Sequence, residues 1–216
     1  MKWYRKTLSS KWIKVVLFVA GLLPALGLVW DAFHHGLTPN PIEYITHQTG
    51  DWILIFLVLT VAISPARKLL GLPALIRFRR MLGLYAFFYA FLHFSIWIGL
   101  DKFFDWSDMT ADVMKRRFIT VGFTGFVLMI PLAVTSTAGW IRRLGGKRWQ
   151  RLHALIYITA AAGVIHFYWL VKSNVRKPLR YGVIFLLIFF FRYGMMLRDK
   201  RKRPVIAQRA VAPSVS

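Results

Sequence analysis

An all-α integral membrane protein, built as a bundle of six membrane-spanning helices, is the fold that this sequence predicts. Of its 216 residues 57% are hydrophobic, yet 30 are Lys or Arg and only 8 are Asp or Glu. The charged residues lie in short stretches between long apolar runs, which is the pattern of a multi-spanning membrane protein. At ~20 residues for each span, the length allows six helices with short loops and no large soluble domain.

Uncharged runs place the six predicted spans in order along the chain. They cover residues 12–30, 50–64, 81–100, 118–137, 152–171 and 178–197. The third, fourth and fifth are continuous apolar runs, whereas the second is short and the sixth is interrupted by Arg192. Residues 1–216 are therefore predicted to form a single transmembrane domain, in which 198–216 are a solvated tail.

The distribution of charge predicts the orientation of the bundle. Basic residues concentrate before the first span, in the second and fourth loops and from Arg192 onward, whereas acidic residues other than Asp199 fall in or beside the odd loops. Because cytoplasmic loops carry the excess of Lys and Arg, both termini and the tail are predicted to be cytoplasmic. The basic fifth loop, with Lys172 and Arg180, is either a tolerated exception or a surface that contacts an anionic partner.

Composition also excludes several classes of protein. The net charge of +22 does not indicate a nucleic-acid-binding protein, because the basic residues punctuate apolar runs instead of covering a soluble domain. The chain has no cysteine, which excludes disulfides, iron–sulfur ligation and thioether-linked haem. We expect the first helix to be retained and not cleaved as a signal peptide. Any redox cofactor must be held without thiolates.

Three of the six histidines fall inside predicted spans, where an unpaired polar side chain is costly. His93 follows Arg80 by thirteen residues and His166 follows Arg151 by fifteen, so both are predicted to lie about 20 Å from the cytoplasmic face. An imidazole hydrogen-bonded to a neighbouring helix explains either one alone. Two imidazoles at matching depth on different helices can instead hold a haem iron from both sides.

The remaining histidines have other predicted positions. His153 lies near the inner face, about 20 Å from His166 along one helix, so these two cannot share an iron. Arg79, at the level of His153, cannot bind iron but can hold an anionic group such as a propionate or a phosphate. His34, His35 and His47 lie in the first outer loop; the first two are expected to be solvated, and His47 is a candidate to approach the outer cofactor.

Several stretches of the chain resemble the MsrQ (YedZ) family of haem-binding membrane subunits, within the ferric-reductase-like transmembrane superfamily. They include "LIRFRRMLGLYAFFYAFLHF", "AVTSTAGWIRRLGGKRWQRLHALIY" and "IHFYWLVK", and the resemblance extends from Leu8 to Leu197. It implies His93 and His166 as axial ligands of haem b, and His153 as a further ligand or cofactor contact. Arg79 stands where the wider superfamily has a fourth histidine.

The resemblance implies a multi-pass electron carrier in the bacterial inner membrane, in contact with membrane lipid. Such a carrier would take electrons from quinones, with FMN as a second cofactor. It would pass them to a periplasmic molybdopterin-containing catalytic subunit of the MsrP type, which reduces methionine sulfoxide in oxidised proteins. The chain lacks the G-x-G-x-x-G dinucleotide motif and therefore needs an external donor.

Two alternatives stay open. One is a ferric-reductase-like cytochrome with another acceptor. The other is a non-redox transporter, which is disfavoured because the chain is expected to lack intramembrane carboxylates, the residues that proton-coupled transporters usually use.

Overall fold

The computed structural model of the chain describes residues 10–34, 36–171 and 174–211, with side chains described as far as Arg198. In this part of the chain there are eight α-helices and no strand. They are α1 (Lys11–Phe33), α2 (Pro41–Leu69), α3 (Ile76–Ile96), α4 (Trp106–Lys115), α5 (Arg117–Val134), α6 (Ala138–Leu152), α7 (Leu155–Leu170) and α8 (Arg176–Val211). A 3₁₀ turn, Pro73–Leu75, precedes α3, and a π-helical turn, Trp97–Asp101, follows it.

Five of these segments are long and apolar enough to cross a membrane: α1, α2, α3 with its flanking turns, α5 and the first part of α8. The pair α6 and α7, bent by 41° at the break between them, qualifies as a sixth span when taken together. The predicted all-α membrane fold is confirmed, with six spans if the bent pair counts as one.

The second predicted span is wrong in length. It was expected to be short and to begin at Gly50, but α2 is a 29-residue helix that begins at Pro41. Asn40 caps it by accepting the Glu43 N–H, and a proline at the first helical position is pre-organised for a helix start. The first turns of α2 are polar, which is why an apolar run did not reveal them.

One further expectation about helix ends is wrong. His153 was expected on one rigid helix with His166, but it caps the end of α6, and α7 begins only at Leu155. The sixth predicted span, 178–197, agrees with the apolar segment Arg176–Arg198, although α8 itself continues to Val211. Residues 212–216 of the predicted tail lie outside the described residues.

The centre of the bundle consists of α2, α3, α5 and α7, with the most extensive packing between α2 and α3 and between α5 and α7. Phe56 of α2 stacks between Tyr85 and Tyr89 of α3, with ring centroids 5.1 and 5.4 Å apart. Leu57 and Tyr89 are fully buried. α1 and α8 lie at the periphery and expose large apolar side chains, as helices in contact with lipid do.

Cross-helix contacts fix the directions of the central helices. His93 in the last turns of α3 contacts Thr46 near the start of α2, whereas Arg79 near the start of α3 contacts Ser64 near the end of α2. The two helices are therefore antiparallel, and close approaches between α5 and α7 show the same for that pair.

The bundle therefore has two ends. We call the end formed by residues 36–40, 102–116 and 174–175 the odd-loop end, and the end formed by residues 70–75 and 135–154 the even-loop end. Which end faces the cytoplasm remains a prediction from the charges.

Tyr89 of α3 inserts its hydroxyl into the backbone of α1 beside Pro24. The hydroxyl donates to the Gly21 carbonyl at 2.8 Å and accepts the Ala25 N–H at 3.1 Å. An unbroken helix would join these two backbone groups to each other. A proline and an inserted side chain are both known causes of a helix bend. α1 thus gains a polar attachment to the bundle where no water is available.

Tyr89→Phe is expected to lower the stability of the bundle by about 1 kcal/mol, because one interhelical hydroxyl bridge is lost while the two backbone groups partly rejoin. The midpoint of thermal unfolding in detergent measures the change. Tyr168→Phe, at an exposed tyrosine of α7, is the matched control. Equal midpoints for the two variants would contradict the role given to the Tyr89 hydroxyl.

Candidate cofactor site

A cavity of about 540 Å³ lies among the four central helices and extends to the odd-loop end of the bundle. This volume is within the range of about 300–1,000 Å³ that is usual for small-molecule and cofactor sites. Its deeper part is apolar, with Leu57 of α2 and Met129 of α5 among the lining residues. Its mouth is polar, with Glu43, His47 and Arg116 in the wall.

His93 and His166 face each other across this cavity. Their ring centroids are 6.1 Å apart and the ring planes are nearly perpendicular, at 89°. An iron between two imidazoles, with metal–nitrogen bonds of about 2 Å and ring radii of about 1.1 Å, sets the centroids roughly 6 Å apart. The structure therefore brings together the two histidines that the depth argument paired, at a separation that suits a shared iron.

Hydrogen bonds occupy the same nitrogen of both rings. His93 Nδ1 lies 3.0 Å from the Thr46 carbonyl and 3.2 Å from Thr49 Oγ1. Because the Thr49 hydroxyl already donates to Ile45, it accepts from His93. His166 Nδ1 lies 2.7 Å from the Phe118 carbonyl. Bonds of this kind fix Nδ1 as the protonated nitrogen, so Nε2 of each ring is left to bind a metal.

Glycines allow the helices to approach the rings. A Cβ atom on Gly122 of α5 would lie 2.6 Å from His166 Nδ1, which no side chain can tolerate. A Cβ atom on Gly163 of α7 would lie 3.1 Å from Leu54, and one on Gly50 would lie 3.5 Å from His93. These positions line the cavity, so small residues shape the space around the two imidazoles.

These features fit a haem. Among the described residues no group of three or more His, Asp or Glu side chains could hold a metal ion by itself, whereas a haem needs only the two histidines because the macrocycle supplies its other ligands. Thr159, which also lines the cavity, has a buried hydroxyl with no partner among the described residues. An unpaired buried hydroxyl is costly and indicates a group that is missing from the cavity.

His153 and Arg79 lie at the even-loop end, outside this cavity. The His153 ring stacks on Trp149 with centroids 3.9 Å apart, and its Nε2 lies 3.0 Å from Thr135 Oγ1. Since the Thr135 hydroxyl donates to a backbone carbonyl, it accepts from this nitrogen. Arg79 donates to Ser64 Oγ at 3.2 Å. His153 therefore forms its hydrogen bond through Nε2, whereas His93 and His166 form theirs through Nδ1.

The mouth of the cavity contains a polar series of which the sequence had indicated only His47, the histidine expected to approach the cofactor. Glu43, His47 and Asp51 recur at every fourth residue of α2 and all line the cavity. His47 Nε2 lies 3.8 Å from Glu43, and the Asp51 carboxylate forms an ion pair with Lys177 of α8. Asp51, one of the acidic residues that the sequence places in or beside the odd loops, lies ten residues into α2. The fourfold spacing was the signal that could have shown it.

An ion-pair cluster holds α4 against the odd-loop end. Lys102 Nζ lies 2.5 Å from Asp112 and 2.7 Å from Asp108, while Arg116 Nε lies 3.0 Å from the other Asp112 oxygen. The bonds to the two aspartates raise the pKa of Lys102. The bond to Lys102 lowers the pKa of Asp108. The side chains of Lys102 and Asp112 are each only 8% exposed, so the cluster holds residues 102–116, which include α4, in place.

His34, another histidine of the first loop, does not line the cavity. His34 is exposed and stacks on Trp30 at 3.8 Å between ring centroids. His35 lies outside the described residues.

Comparison with known proteins agrees with the geometry. The family model described as the ferric reductase like transmembrane component matches residues 49–164. A protein from Herminiimonas arsenicoxydans, named protein-methionine-sulfoxide reductase heme-binding subunit MsrQ, is 49% identical over 197 residues, which cover 90% of each chain. Proteins with the same name come from Caulobacter vibrioides, 44% identical over 82% of this chain and 84% of the relative, and from Rhodospirillum rubrum, 48% identical over 87% and 90%.

Proposed function

The chain belongs to the MsrQ family, within the ferric reductase-like transmembrane proteins, and we propose that it is the haem b electron-transfer subunit of a periplasmic protein-methionine-sulfoxide reductase system. As a multi-pass membrane protein it carries its candidate site between helices. The observation that supports the proposal most directly is the pair of facing imidazoles, whose ring centroids are 6.1 Å apart. Nδ1 of each ring is already hydrogen-bonded to a backbone carbonyl.

His93 and His166 would be the axial ligands of the haem, each through Nε2. Held there, a haem would supply a centre that accepts and donates one electron. The carbonyls of Thr46 and Phe118 hold the two rings in the required orientation and tautomer. The apolar walls around Leu57 and Met129 keep water from the deeper part of the cavity.

We propose that electrons enter from the even-loop end, supplied by quinol. Arg79 is the residue there that would hold an anionic group of the donor or of a cofactor, with His153 as a further contact or ligand. Arg67 and Arg192 are near enough to Arg79 to interact with it electrostatically, so this region is strongly basic. We include FMN as a second cofactor on the sequence resemblance alone.

We propose that electrons leave from the odd-loop end, because the cavity of the histidine pair reaches the surface there. The acceptor would be a periplasmic molybdopterin-containing catalytic subunit of the MsrP type, which would dock on the loops of this end. That arrangement requires the odd-loop end to face the periplasm and both termini to face the cytoplasm of a bacterial inner membrane.

The first test is the absorption spectrum of the detergent-purified protein, oxidised and reduced with dithionite. We expect a low-spin b-type spectrum, and close to one haem for each chain by the pyridine haemochrome method if only the His93–His166 pair is filled. Flavin extracted from the same sample decides whether FMN is present. A protein expressed with ample haem supply that contains none would reject the proposal and favour the transporter alternative.

The direction of electron flow needs a second measurement. Quinol should reduce the haem in membrane vesicles, and the purified catalytic subunit with methionine sulfoxide should then reoxidise it. Omission of methionine sulfoxide is the control. If quinol reduces the haem but the catalytic subunit does not reoxidise it, the protein is a cytochrome with another acceptor.

A further inference from the structure

The cavity of the histidine pair has charged residues at one end only. The deeper end has the unpartnered Thr159 hydroxyl, about 10 Å nearer the even-loop end than His166 on the same helix, but no charged residue lies beside it in the cavity wall. Every charged lining residue lies at the mouth; these are Glu43, Asp51, Asp101 and Arg116, with His47 titratable among them. Because burial of an unpaired carboxylate is very costly, the carboxylates of a bound macrocycle must face the mouth.

One lining residue at the mouth carries a permanent positive charge and is therefore best suited to receive a carboxylate. Arg116 is the only Arg or Lys among the described cavity-lining residues. The acidic residues there are already partnered or face outward: Asp51 pairs with Lys177, Glu43 accepts from Asn40 at 2.7 Å, and Asp101 is exposed.

The position of Arg116 is fixed by neighbours that leave its binding groups available. The Arg116 side chain lines the cavity and is 56% exposed, and Asp112 pairs with Nε of its guanidinium, so this ion pair does not use the terminal nitrogens Nη1 and Nη2. Asp112 is itself held by Lys102. Arg116 also directly precedes α5, whose first turn carries the partial positive charge of a helix N-terminus.

We infer that Arg116 is an anion-binding residue of the cofactor site, which holds a propionate carboxylate of the haem at the odd-loop mouth of the cavity, with Asp112 as the positioning residue for its guanidinium. The inference rests on the proposed function, because it concerns the same haem. It fixes the orientation of the macrocycle, with its carboxylates toward the electron-accepting end.

The test compares Arg116→Gln with Arg117→Gln, a matched control at the next residue, which is exposed and is not part of the cavity wall. Transfer of haem from the intact holoprotein to excess apomyoglobin should be about tenfold faster in Arg116→Gln, the size expected for the loss of one charge-assisted hydrogen bond. The propionate bending mode in the resonance Raman spectrum should shift in Arg116→Gln alone.

A third variant separates direct binding from a structural role. Loss of the positive charge in Arg116→Gln should lower the reduction potential of the haem. Asp112→Asn keeps that charge and only loosens the guanidinium, so it should speed haem loss less than Arg116→Gln does. The inference is overturned if Arg116→Gln matches Arg117→Gln in haem loss and in the Raman mode. It is also overturned if Arg116→Gln leaves the reduction potential of the haem equal to that of Arg117→Gln, since a cation at the propionate must raise this potential. Wild-type protein without haem would instead reject the proposed function.

Discussion

His93→Ala and His166→Ala are each expected to yield a folded protein that has lost most of its haem. Each variant removes one of the two proposed ligands of the iron and leaves a gap in the cavity wall. Removal of a hydrogen-bond partner of a ligand alone lowers metal affinity about 10–100-fold, so removal of a ligand should cost at least as much. Haem per chain, measured by pyridine haemochrome and normalised to protein, is the readout.

Two controls make this result specific. His34→Ala changes an exposed histidine outside the cavity and should retain haem at the wild-type level. His47→Ala changes a histidine in the wall of the mouth and should also retain it, since His47 is not one of the two facing rings. Haem lost in His153→Ala but kept in both His93→Ala and His166→Ala would reverse the assignment of the ligands.

The pairing of His93 with His166 could be predicted because it depends on little beyond helix geometry. A helix rises by a fixed length for each residue, and alternating spans give every position a depth, so two histidines on different helices can be compared. The partners of the rings could not be predicted in this way. The Thr46 and Phe118 carbonyls are backbone groups, so the sequence does not mark them, and only the packed structure shows that the ring nitrogens reach them.

The errors at the ends of the spans have a common physical origin. Apolar runs report where side chains meet lipid or the core, and they do not report where a helix begins. The polar face of α2 at Glu43, His47 and Asp51 borders a cavity, so it can be charged without contact with lipid. At His153 the chain leaves the helix although its neighbours are apolar, because the bend between α6 and α7 is a tertiary feature.

Gly122→Ala is expected to have an effect nearly as large as loss of a ligand, although it adds a single methyl group. The new Cβ atom would lie 2.6 Å from His166 Nδ1 and 2.9 Å from Cε1 of the same ring. The His166 ring cannot move aside without losing its hydrogen bond to the Phe118 carbonyl. Phe118 lies on α5, one turn before Gly122. The methyl group therefore forces the imidazole away from both its orienting partner and the iron position.

We expect Gly122→Ala to retain less haem than the wild type, and the haem that stays to lose its low-spin spectrum because one axial bond is broken. Gly27→Ala is the matched control, since a Cβ atom there would meet nothing within 4 Å. Gly125→Ala is a second control, on the same helix as Gly122. Its new Cβ atom would make an ordinary contact of 3.4 Å with Ala162. If Gly122→Ala kept a low-spin spectrum at wild-type stoichiometry, His166 could not be a ligand held against Gly122, because an imidazole displaced from this position cannot remain bonded to the iron.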